Sequence, residues 1–399
     1  MKNMENYNFR EKNILVRVDL NVPTVNGIIT DKSRIEVIKP TINKLLNLKN
    51  KVFIISHFGR PKGKEDKKYS LEFICPALEQ EFKINKIHFL NNFEEHQIKR
   101  KINDMAYGEI CLFENIRFWP DEESNDLNFT KNISKNFDAY INDAFSASHR
   151  KHASIVSIPN FLPSYAGYSM LNEIKNINYF VNNPQQPNLA IIGGSKISTK
   201  IAILKNLCET CNVIAIGGAM ANTFLYANKI DIGKSLCEKE LSKLSLSILE
   251  KAKKFNCEII LPVDVVCADN LLKPTYYRTC DIKDIKPDEM VLDIGIKTTE
   301  LIKNYIVKSK MILWNGPLGA FEHKPFEKSS IDIANIIKEN SRQSKKSIIA
   351  GGGDTVSVIK MAKAESGFSY ISKAGGAFLE WLEGEESPGF LALKKNDFF

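Results

Sequence analysis

The chain has 399 residues, of which 43% are hydrophobic and 26% charged, and it carries a net charge of +8. That length suits two domains better than one core, and no apolar run approaches the roughly 20 residues of a membrane span or forms a secretory leader. The charge comes from 46 lysines against nine arginines, spread through polar stretches such as "KGKEDKK" and "EKAKKF", which speaks against the concentrated basic stripe of a nucleic-acid binder.

In chain order, short apolar runs alternate with helix-period segments. The first half offers "ILVRV" (14–18), "VFIIS" (52–56), "ICLF" (110–113) and "AYIN" (139–142). The second offers "LAII" (189–192), "VIAI" (213–216), "IILPV" (259–263), "MILW" (311–314) and "SIIA" (347–350). Continuously apolar strands separated by helices indicate parallel sheets covered on both faces. The expected fold is therefore α/β, with two doubly wound units. Between them, "GYSMLNEIKNINYFV" (167–181) reads as a helix and "NNPQQPN" (182–188) as a polar linker. Eight cysteines include "CETC" at 208–211, but no second pair completes a zinc site, so reduced thiols in a cytosolic protein are expected.

Ligands of open α/β sheets bind beyond the carboxyl ends of the strands. In the first half those ends carry polar and cationic groups: Asp19 and Asn21, then His57 and Arg60, then Arg117, then Asn142, Asp143, His149 and Arg150. In the second half they carry glycines, in "IIGGSK", "AIGGAM", "WNGPLG", "AGGGD" and "SKAGGA". Arg34, Arg60, Arg117 and Arg150 are four of the nine arginines, and the guanidinium fork suits phosphate or carboxylate better than lysine does. Together with His57 and His149 they favour a small polyanionic substrate.

Glycine turns at strand ends let backbone N–H groups reach phosphate at the start of the next helix. "IIGGSKISTK" (191–200) lacks the spacing of a Walker loop. A helix starting near Ser195 places Lys196 and Lys200 on one face, either solvated or at the glycine-bearing mouth. Asp354 in "GGGDT" either caps a helix or holds Mg²⁺.

"VRVDLNVP" (16–23), "SHFGRP" (56–61), "LFENIRF" (112–118), "NDAFSASHRKHAS" (142–154), "WNGPLGAFE" (314–322) and "GGGDT" (351–355) resemble phosphoglycerate kinase, in the right order over nearly the whole chain. The resemblance implies two Rossmann-like domains facing across a cleft. Residues 1–166 would bind phosphoglycerate, 167–185 form a hinge helix and linker, 186–376 bind nucleotide, and 377–399 return to the first domain. It implies reversible phosphoryl transfer from 1,3-bisphosphoglycerate to MgADP, giving 3-phosphoglycerate and ATP, by a cytoplasmic monomer that closes about its hinge. Asp19, Asn21, Arg34, His57, Arg60, Arg117, His149 and Arg150 would hold phosphoglycerate. The nucleotide would meet Gly193, Gly194, Ser195, Lys196, Lys200, Gly217, Gly218, Ala219, Asn315, Pro317, Gly319 and Glu322. It would also meet Gly351, Gly352, Gly353, Asp354 and Thr355, with Asp354 linked to the metal. Arg34 and Lys200 would contact the transferring phosphoryl group, and Gly352, Gly353, Gly375 and Gly376 would offer N–H groups.

The pattern departs from the family at Lys373, Ala374, Ala219 and Ser146. Lys373 is expected to point to solvent and Ser146 to affect only loop shape. A nicotinamide dehydrogenase, the nearest enzymatic alternative, needs Gly-x-Gly-x-x-Gly after an early strand, and the chain has no such motif.

Overall fold

Uninterrupted apolar runs become interior strands because both faces of each are covered. In the computed structural model, which describes residues 2–182, 184–343, 346–384 and 386–396, the chain divides into two units. One is Met1–Lys175 with Glu386–Phe399, the other Asn176–Glu385.

The first unit contains β1 (Asn13–Arg17), β2 (Thr24–Val25), β3 (Ile28–Ile29), β4 (Lys51–Ile55), β5 (His88–Leu90), β6 (Ile110–Phe113), β7 (Ala139–Asn142) and β8 (Ser164–Ala166). Six of them form one sheet in the order β5-β6-β4-β1-β7-β8, with every pairing parallel. Successive side chains point to opposite faces of a strand. Ile14, Val16, Val52, Ile54, Ile110 and Leu112 accordingly pack under Ile38, Ile42 and Leu78 on one face. Leu15, Phe53, Cys111, Phe113 and Tyr140 pack with Ile98 and Ile133 on the other. Truncating the fully buried Phe53 to alanine costs about 3–5 kcal/mol. The hairpin β2–β3 turns at Asn26 and Gly27, with φ of 51° and 76°, the backbone that an Asn-Gly turn supplies.

The second unit contains β9 (Asn188–Ile192), β10 (Val213–Ile216), β11 (Glu258–Ile260), β12 (Asp264–Ala268), β13 (Tyr277–Asp281), β14 (Met290–Ile294), β15 (Met311–Asn315), β16 (Ser347–Ala350) and β17 (Tyr370–Ile371). Its main sheet runs β11-β10-β9-β15-β16-β17, again wholly parallel. Helices Ile296–Lys308, Lys328–Gln343 and Gly353–Met361 cover one face around Trp314.

A separate antiparallel sheet, β13-β12-β14, was not expected. The run expected as one strand over 259–263 ends at Ile260, and β12 starts at Asp264. Pro262, in the gap, has no N–H to donate to a ladder. β13 is mostly exposed and so lacks the apolar run by which buried strands are recognised.

The division between units also differs from the expected boundaries. The first unit runs on to Lys175, inside helix Tyr168–Asn182. Position 183 of the expected linker lies outside the described residues. Helix Gly376–Leu382 stays with the second unit, where Asn206 Nδ2 donates to Leu382 O at 2.7 Å. Only from Glu386 does the chain join the first unit. There Gly389 N donates to Ser148 O at 2.8 Å, and Asn396 Nδ2 donates to Leu162 O at 3.0 Å.

Candidate active site

The carboxyl ends of β1, β4, β6 and β7 lie side by side in the first sheet, so the loops after them meet. Asp19 anchors the cluster. Its carboxylate pairs with the Arg34 guanidinium and accepts from the Ser146 hydroxyl, and Oδ1 accepts from Asn21 N at 2.9 Å. Ser146 therefore does more than shape its loop: it holds Asp19. Asn21 Oδ1 accepts from Gly59 N at 2.9 Å, and Arg117 Nη1 donates to Gly59 O at 2.8 Å. One glycine thus ties the loop after β1 to that after β6. Arg117 Nε lies 3.6 Å from Glu123 Oε1, an ion pair rather than a hydrogen bond.

His57 is buried, and burial together with Arg17, Arg117, Arg34 and Arg150 pulls its imidazole well below the ordinary range. The ring is neutral at pH 7. Burial, with Arg17 and Arg150 alongside, pulls Arg117 down to about 10. Burial and the same arginines hold His152 down to about 3, and burial and Arg150 lower His149. Cations crowded this closely repel one another, and an anion between them relieves the repulsion. Arg150 and His149 are half-buried, whereas Arg60 is exposed.

Arg17, Glu122 and Ser154 were missed by sequence reasoning. The available signal was a charge inside the apolar run "ILVRV", since an almost fully buried arginine requires built partners. Asp143 serves the framework instead: its Oδ1 accepts Met170 N at 2.8 Å, in the first turn of helix Tyr168–Asn182.

In the second unit several glycines allow close approach of a neighbouring backbone or side chain. A Cβ on Gly193 would meet Pro317 O, on Gly217 the Leu318 side chain, and on Gly351 the Phe378 ring. Gly194, Gly353 and Gly375, by contrast, have nothing within 4 Å of that position. These three have space for a ligand against the backbone. Gly352 lies against Asn315, and Gly376 begins a short helix with an exposed first residue.

Lys196 and Lys200 do not share a helix face. Ile197–Thr199 is a single 3₁₀ turn and the helix proper is Ile201–Thr210. The tighter turn rotates the two lysines apart, leaving Lys196 exposed and Lys200 buried. Lys200 Nζ donates to Asn315 Oδ1, and Asn315 Nδ2 donates to Gly351 O at 2.7 Å. Burial pulls Lys200 down to about 8, against the opposing pull of Asp354 and Glu383. Thr355 is a brace, its hydroxyl accepting from Gly316 N at 2.7 Å.

A cavity of ≈ 570 Å³ opens beside these loops, lined by Gly194, Ser195, Gly218, Ala219, Pro317, Gly319, Glu322 and Asp354. That volume suits a small organic ligand. Leu236, Leu271 and the β14 residues Met290, Val291 and Leu292 supply an apolar wall. No pattern near the glycine motifs pointed to these residues: the unexpected small sheet brings in Met290, Val291 and Leu292, and irregular segments bring in Leu236 and Leu271. A second cavity of ≈ 400 Å³, bordered by Tyr277, Asp293 and Asp332, contains none of the expected site residues.

The polar groups of the two sites differ by unit: an arginine–histidine cluster in the first, glycine turns and Lys200 in the second. What each offers is positive charge, backbone donors and positioning, the requirements of phosphoryl transfer, and the fold and site together define a phosphotransferase. The family model for phosphoglycerate kinase matches residues 4–385. The phosphoglycerate kinase of a Chelativorans species is 44% identical over 96% of each chain, and that of Brucella abortus 42% over 99% of each. The structure of phosphoglycerate kinase from Coxiella burnetii matches with a TM-score of 0.89 at 35% identity, over 98% of both chains. That from Pyrococcus horikoshii matches with a TM-score of 0.83 at 26% identity, over 99% of this chain and 98% of the other. This chain belongs to the phosphoglycerate kinase family.

Proposed function

We propose that the chain catalyses reversible phosphoryl transfer from 1,3-bisphosphoglycerate to ADP, giving 3-phosphoglycerate and ATP. The arginine cluster around His57, held by the Arg34–Asp19 pair, is the observation that carries this proposal. Asp19, Asn21, Arg34, His57, Arg60, Arg117, His149 and Arg150 bind phosphoglycerate on the first unit. On the second, the base lies against the apolar wall, and Gly194, Gly218, Pro317 and Glu322 line the path of the nucleotide.

In the ATP-consuming direction the nucleophile is a carboxylate, already ionised at neutral pH, so no side chain need remove a proton. Arg34 and Lys200 neutralise the transferring group, and the N–H groups of Gly353 and Gly375 have room to meet its oxygens. His57, neutral, donates a hydrogen bond without adding charge.

Mg²⁺ characteristically takes one or two carboxylates plus substrate phosphates. Asp354 fits that role: it lines the cavity and lies close enough to Lys200 to act on its charge. Bound there with the nucleotide, Mg²⁺ would offset phosphate charge. Because acceptor and donor pockets belong to different units, the reaction requires hinge closure, which excludes water. The expected enzyme is cytoplasmic and monomeric, and light scattering in solution checks the second point. A coupled assay of ATP and 3-phosphoglycerate, with and without Mg²⁺, tests the activity. Absence of 3-phosphoglycerate-dependent ADP release would refute it.

A further inference from the structure

Glu122, in the short helix Pro120–Ser124, is fully buried and has no part in the substrate contacts proposed above. Both its oxygens are engaged by one residue: Oε2 accepts from Ser154 N at 2.8 Å, and Oε1 accepts from Ser154 Oγ at 2.6 Å. The same hydroxyl accepts from Arg17 Nε at 2.9 Å. Its polarity is thereby set, since it receives from Arg17 and gives to Glu122.

Arg17 is 1% exposed. Nη1 donates to Val18 O, and Nη2 lies 3.0 Å from His57 Nδ1. A guanidinium has donors only. Nδ1 must therefore accept, and the ring hydrogen sits on Nε2. Glu122 and Tyr140 are the groups that favour Arg17's charge against its burial, and Tyr140 donates to Ser154 O at 2.5 Å. After burial, the largest influences on the His57 ring are the cations Arg17, Arg117, Arg34 and Arg150. None of them can accept a hydrogen bond, so nothing in that cluster offers a competing partner for a hydrogen on Nδ1.

We propose that Glu122 is a positioning residue for His57: through Ser154 and Arg17 it fixes the ring as the Nε2–H tautomer, a hydrogen-bond donor to the phosphoglycerate pocket. The donor role rests on the pocket assigned under the proposed function, whereas the tautomer does not. A positioning partner of this kind controls which nitrogen carries the hydrogen, as the second-layer partners of metal-bound histidines do.

Nitrogen-15 NMR of the histidine rings in the full-length, ligand-free protein reads the tautomer directly. Wild type is expected to show His57 with hydrogen on Nε2 only. In Glu122→Gln the amide can accept one Ser154 donor but turns its own NH₂ toward the other, so the relay breaks. The expected result is a mixture of His57 tautomers and a KM for 3-phosphoglycerate raised about tenfold, with KM for ATP unchanged. A variant that melts earlier yet keeps the wild-type His57 signals and KM would overturn the proposal, leaving Glu122 a purely structural residue. Should Glu122→Gln fail to fold, Ser154→Ala removes the same link, and unchanged His57 signals there would overturn the proposal equally. Calorimetry of wild type with 3-phosphoglycerate separates the two ideas. No binding would remove the pocket and the donor role of His57, whereas normal binding with an unaltered Glu122→Gln spectrum would remove the Glu122 proposal alone.

Discussion

The first unit fixes its site with polar side chains, whereas the second shapes its site mainly from backbone. Asp19 holds Arg34 and Ser146 side chain to side chain, and the Asn21 and Arg117 side chains both grip the Gly59 backbone. Around the second site, Gly193, Gly218 and Gly316 allow main chains to cross where a methyl group would collide. A charged network can lose a member and keep its outline. A close backbone crossing tolerates no added atom. Substitutions of the networked side chains should therefore reduce activity at the first site, whereas substitutions of the crossing glycines should disturb folding at the second.

The largest effect is expected where the two strategies meet, at Lys200, the buried cation of the glycine-built site. Lys200→Ala should lower kcat by about 10²–10³-fold with KM for 3-phosphoglycerate little changed. Steady-state kinetics checks this, and near-wild-type kcat would remove Lys200 from the chemistry. Next comes Gly218→Ala. Gly218 has φ +67° and would push its new methyl into Gly194 O. A loss of about 2–4 kcal/mol in urea unfolding is expected, and a loss under 0.5 kcal/mol would end the contrast between the units.

The pH dependence sharpens it further. Burial takes Lys200 down to about 8, while the unfolded chain keeps that proton until about pH 10.4. Between those values the unfolded state binds more protons, so this group adds stability as pH rises, whereas nucleotide affinity should weaken as the charge is lost. Asp143 behaves oppositely: burial raises its carboxyl to about 6, against about 3.9 unfolded. The folded state then holds the extra proton, and its contribution to stability falls as pH rises from about 4 to about 6. Urea midpoints measured across both windows, with Asp143→Asn flattening the lower one, check both signs. The smallest expected change is Ser146→Gly, which loses the bond to Asp19. KM for 3-phosphoglycerate should rise about three- to fivefold with melting temperature nearly unchanged.

Much of this is legible in the sequence. Asp19, His57 and Arg117 follow mainly apolar runs, and the rule that ligands meet strand ends brought them together. Lys196 and Lys200 misled because a spacing of four means one face only on an α-helix, and the chain makes a 3₁₀ turn there. The apolar wall was hidden, since Met290 and Leu236 belong to segments with no periodic signature of their own. Arg17 was hidden differently: its partner Ser154 lies 137 positions away, and nothing local in a sequence records such a pairing.

The returning helix Pro388–Lys394 bears on how the protein is made. Gly389 and Asn396 close hydrogen bonds onto Ser148, Pro159 and Leu162 of the first unit. On the ribosome those donors emerge more than 200 residues after the segment they complete. At about 5–20 residues per second that is a wait of roughly 10 to 40 seconds. The unit synthesised first is therefore the one finished last, and a chain released early would carry an unsealed seam beside Ser148.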